Sequence, residues 1–71
     1  MASKQDLKVV ASAIDSGDAA YIEKLAESYY YGDGLERNKE AAFFLWKQAA
    51  ELGHVGAKMS LANLGKLENI G

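Results

Sequence analysis

A chain of 71 residues holds one domain at most, and at this length folding buries only about 60% of the unfolded surface, which leaves the fold marginal without extra support. There is no cysteine and only one histidine, which excludes a disulfide framework, a thiolate nucleophile and a zinc site built from this chain alone. Eight basic residues against ten acidic ones give a net charge of −2, with no electrostatic pull toward nucleic acid or an anionic membrane.

The opening MASKQDLK lacks the apolar run of a signal peptide, and no apolar stretch approaches the roughly 20 residues of a membrane span, so the expected location is the cytoplasm. Proline is absent and β-branched residues are few, which fits an all-helical chain.

The first periodic segment places Leu7, Val10, Ala11 and Ile14 at helical spacing and stops at Gly17, predicting a helix over 4–16. Asp18 then caps a second helix over about 19–31, with an apolar stripe of Tyr21, Ile22, Leu25, Ser28 and Tyr29 running to a stop at Gly32. The connection GDGLERN has two glycines and polar turn formers, and Leu35 is its one apolar residue, expected to plug into the core.

The third segment, NKEAAFFLWKQAAELG from Asn38 to Gly53, has both ends marked. Asn38 is an N-cap, Glu40 sits in the positive first turn, and Gly53 can close the helix in a left-handed conformation. Ala42, Leu45, Trp46 and Ala49 form one stripe, with Ala50 and Leu52 on its shoulders. The run from Ala41 to Trp46 is unbroken, so this helix is expected at the centre, with neighbours on two sides. A fourth helix, starting near His54 and running from 55 to about 67, carries Ala57, Leu61 and Leu64 on one side.

The positions repeat. Gly17 and Gly53 are 36 residues apart, and the same offset maps Ala13 on Ala49, Leu25 on Leu61 and Ala26 on Ala62. A fixed period built from helix pairs marks a solenoid, in which each unit buries its apolar face on the next. The expected fold is therefore all-α, a short α-solenoid of about four helices in antiparallel pairs. Its units are 4–16 as the second helix of a partial repeat, 17–52 as a complete repeat, and 53–71 opening another.

These residues resemble the Sel-one-like repeat family, a relative of the tetratricopeptide repeat. Leu25-Ala26, Tyr29, Gly32, Gly34 and Leu35 stand at the spacing of its Leu-Gly, Tyr and Gly-x-Gly turn. Asn38, Ala42, Trp46, Ala49-Ala50 and Gly53-His54 match its capped, alanine-rich second half. Ala26 and Ala62 depart from it by replacing the close-packing glycine, Tyr21 replaces a small alanine, and Gly65 stands where the tyrosine belongs. The resemblance implies a right-handed array of helix pairs that binds another protein as a small adaptor, regulator or inhibitor. It brings no reaction chemistry and no cofactor.

Chemical motifs are weak. His54 has no second imidazole or thiol near it and reads as a helix-start residue satisfied locally. Glu23 and Glu27 share a face at i, i+4 and read as a solvated charged face before an acid/base pair. The GDG at 32–34 follows a helix and lacks the strand and lysine of a phosphate-binding loop, so it reads as a turn. Tyr29, Tyr30 and Tyr31 have no basic groove with which to bind bases. The runner-up function is a helix-turn-helix DNA-binding regulator using residues 49–66, where Ala49, Gly53, Met59 and Ser60 have the right spacing. Its reading helix would offer only Lys58 and Lys66, and the 36-residue register accounts for the same alanine and glycine.

In a stacked array the first helix of each pair lines the concave side. The candidate protein-binding residues there are Glu23, Glu27, Tyr30 and Tyr31, followed one period later by Met59, Asn63 and Lys66. Tyr30 and Tyr31 are the first choices, because tyrosine gives a large contact area at small entropic cost; the competing reading is that one of them, Tyr31 in particular, only covers the core. Phe44 is the remaining candidate, about 200° from Ala42 and beside Lys47, Gln48 and Glu51. Burying it is worth about 1.5–3 kcal/mol, so its place on a polar face suggests a protein contact. A homodimer is expected through that face, or through a C-terminal helix exposing Leu61, Leu64, Leu67 or Ile70.

Overall fold

The computed structural model describes residues 4–67, and within them the chain forms four helices of 13 residues each: α1 (Lys4–Ser16), α2 (Ala19–Tyr31), α3 (Lys39–Glu51) and α4 (Val55–Leu67). Among the described residues there is no strand. Residues 68–71, with Ile70, lie outside the described residues.

The helix ends are set by local hydrogen bonding. The Asp18 carboxylate accepts from the Tyr21 N–H at 3.2 Å and the Asn38 side-chain oxygen accepts from Ala41 N–H at 3.1 Å, each satisfying a donor that its helix leaves free. At the end of α3 the backbone turns over at Gly53, whose φ of 93° suits glycine alone. Gly53 N–H then donates to the Ala50 carbonyl at 2.9 Å and His54 N–H to the Ala49 carbonyl at 3.1 Å, the paired hydrogen bonds of a Schellman closure. The connection between α2 and α3 is tied back by Asn38 N–H donating to the Tyr29 carbonyl at 2.8 Å, and Leu35 packs on the core as expected.

α3 lies at the centre. It packs most extensively on α2, next on α4, and lightly on α1. Its buried residues are Ala42, Leu45, Trp46 and Ala49, the stripe read from the sequence. Among the described residues, five of the ten buried apolar side chains are alanines, Ala13, Ala26, Ala42, Ala49 and Ala57. Small side chains at these contacts allow neighbouring axes to come close, which is how so short a chain closes a core without many large residues.

α4 turns the expected face inward, whereas the inward faces of α2 and α1 are rotated from their stripes. In α2 the buried set is Ile22, Ala26, Tyr29 and Tyr30, while Leu25 is half-buried and Tyr21 is exposed. The buried arc is thus rotated by about a quarter turn toward Tyr30. Ala26 is fully buried on this arc, and Tyr30 meets Phe43 and Trp46 of α3. In α1 the contact is made by Ala13 with Val10 and Ile14 beside it, leaving Leu7 60% exposed. In α4 Ala57 and Gly65 are buried, Leu61 and Leu64 pack half-buried on the core, and Leu67 is exposed. Leu61 and Leu64 are therefore not an open apolar surface.

Candidate protein-binding surfaces

Tyr30 is not on the solvent face. It is 8% exposed, and its ring meets Phe43 edge-on at 5.8 Å and Trp46 at 5.5 Å, with the Lys39 ammonium 5.6 Å from its centroid. These contacts hold it against α3, so of the two it is Tyr30, not Tyr31, that covers the core. Tyr31 stays 66% exposed and stands edge-on to Tyr30 at 4.9 Å. A buried ring thus fixes one side of an exposed one, limiting the freedom that Tyr31 loses on binding.

One and two turns before Tyr31 lie Glu27 and Glu23, exposed and half-buried respectively. A hydrogen bond with Glu23 is the main cause that raises the Glu27 carboxyl above its ordinary value of 4.5, with burial and repulsion from Glu23 adding to it and Lys24 opposing. Glu23, Glu27 and Tyr31 form one acidic and aromatic strip along α2.

The second strip lies on α4. His54 Nδ1 accepts from the Ala57 N–H at 3.1 Å, so the imidazole is the cap of this helix, as its place after Gly53 suggests. Beyond the cap, Met59 is 58% exposed, and Asn63 and Lys66 are exposed on the side away from Ala57. Val55 and Ala62 fall on the same outer side and are also exposed. These two were missed from sequence; the spacing Val55, Met59, Ala62, opposite Ala57 and Leu64, is the signal that identifies them.

α2 and α4 each make their main contact with α3. Phe44 marks a third surface, 48% exposed on the outer side of α3.

The described residues hold no group of three His, Cys, Asp or Glu side chains that could bind a metal ion, and no helix long and apolar enough to cross a membrane. What the surface offers is apolar and aromatic area bordered by charge, the usual make-up of a contact with another polypeptide.

A family model for the Sel1 repeat matches residues 19–54, which run from the start of α2 to the cap of α4 and make up just over half of the chain. Sel1 repeats generally mediate protein–protein interaction. No curated protein and no solved structure matches the chain. With the matched segment coinciding with the α2–α3 pair that forms most of the core, the chain belongs to the Sel1 repeat family.

Proposed function

We propose that this chain is a non-enzymatic protein-binding module, a small adaptor, regulator or inhibitor that grips a partner polypeptide through the outer strips of α2 and α4. The observation that carries this reading is Tyr31, a large ring two-thirds exposed, braced by a buried neighbour and bordered by Glu27. Glu23 and Glu27 supply charge to pair with a basic group, Tyr31 and Met59 supply contact area, and Asn63 and Lys66 supply the polar rim. On this reading the module works in the cytoplasm, a compartment suited to a fold built without cysteine.

The DNA-binding alternative gains nothing from the outer face of α4. Around Lys58 and Lys66 that face presents Val55, Met59 and Leu67, apolar area where a helix reading duplex DNA needs basic and amide side chains.

The test is affinity capture from the native cell lysate with the parent chain and with Tyr31→Ala and Met59→Ala. A partner retained by the parent and lost from either variant, with helicity unchanged, supports the reading. Equal recovery by all three chains contradicts it, and low-salt retention of duplex DNA would favour the alternative.

A further inference from the structure

We infer that the outer face of α3 is a self-association surface, onto which a second copy of the chain docks antiparallel about a two-fold axis through Phe44. Phe44 is about half exposed at the pole of α3 opposite the buried Ala42, Leu45, Trp46 and Ala49. Burying it is favourable, and its surroundings specify what can cover it.

Glu40 lies one turn before Phe44 and Lys47 one turn after, both exposed, and Glu51 lies about two turns after, also exposed. Reversing this strip about Phe44 sets Glu40 against Lys47 of the other copy, and the two-fold repeats the pair. Docking the two strips in the same direction sets Glu40 on Glu40 and Lys47 on Lys47. The charge order therefore selects the antiparallel arrangement, and an isologous two-fold contact closes at a dimer.

The interface is small. A standard interface takes about 800 Å² from each partner, roughly a sixth of the 4772 Å² surface here, and one face of a 13-residue helix supplies less. The dimer is accordingly weak and concentration-dependent. It leaves the outer strips of α2 and α4 free, so it stands apart from the partner-binding reading.

The experiment is sedimentation equilibrium of the full chain from about 10 μM to 1 mM at low salt, with helical content read by circular dichroism. The parent mass is expected to rise from 7.7 kDa toward twice that value. Glu40→Lys and Lys47→Glu each place like charges opposite each other twice, so each alone should weaken the dimer at least tenfold. An equimolar mixture of the two restores opposite charges at both contacts and should dimerise again. These exposed positions keep the test open even if Phe44→Glu unfolds the chain. A parent that stays monomeric at every concentration, single variants that dimerise like the parent, or a mixture that remains monomeric would each overturn the proposal.

Discussion

At the scale of single residues, the cap of α4 depends on a glycine that makes room for it. A Cβ added at Gly56 would lie 2.9 Å from His54 Cε1, so the imidazole that accepts from Ala57 N–H must move aside. Gly56→Ala should therefore lose the cap that His54→Ala loses, about 1 kcal/mol in each case, partly offset in Gly56→Ala by the better helix propensity of alanine. His54→Asn, which keeps a side-chain acceptor, should retain most of the stability. Thermal melts of the three variants check this, and a Gly56→Ala melt well above that of the parent would contradict it.

Glu27 gives a dependence on pH. Its carboxyl is raised, so the folded state holds the proton more tightly than the unfolded chain does. The stability it contributes is full below the ordinary value of 4.5 and is lost as the pH climbs through the raised folded-state value. Glu27→Gln cannot charge and so removes that loss. It should be more stable than the parent at neutral pH by a few tenths of a kcal/mol, as befits an exposed like-charge pair. The difference should vanish in acid. Denaturant melts at neutral and acidic pH measure it.

Trp46 is buried with its indole N–H lacking a hydrogen-bond partner in the structure. An orphaned buried donor costs about 1–3 kcal/mol, whereas truncating a buried tryptophan to alanine costs about 3–5 kcal/mol. Trp46→Phe, which drops the donor and keeps most of the apolar contact, should thus be far milder than Trp46→Ala. Equal destabilisation of the two would contradict it.

At the scale of helices, the question is which face turns inward. The extents of all four were legible because their signals are local: Asp18 and Asn38 cap, and Gly17, Gly32 and Gly53 stop. The inward face of α3 was legible too, because its apolar residues leave little choice. α2 was not, because Tyr21, Leu25, Tyr29, Tyr30 and Tyr31 spread apolar area round most of its circumference, and hydrophobicity alone cannot rank them. What decided it was packing against α3: Ala26 is fully buried, and Tyr30 meets Phe43 and Trp46 of that helix. Tyr30, expected at the binding surface, went into the core as a result, and Tyr31 kept the exposed place. Enlarging the contact point tests this directly. Ala26→Leu should cost about 1–3 kcal/mol or more through overpacking, whereas Tyr21→Ala, at an exposed ring, should cost much less.

At the scale of the whole molecule, α3 holds the other three helices, with α2 the firmest neighbour and α1 the lightest. Local opening should follow that order: amide exchange slowest in α3 and the facing side of α2, fastest in α1, with a uniform rate across all four contradicting it. The proposed binding side chains on the outer sides of α2 and α4 lie away from this hub. The most direct measurement is site-specific photo-crosslinking, with a photoreactive amino acid placed at Tyr31 in one chain and at Asp15, exposed on α1, in another. Position 31 should capture a discrete polypeptide in the native lysate while position 15 should not. Crosslinks absent from position 31, or the same products from both, would contradict it.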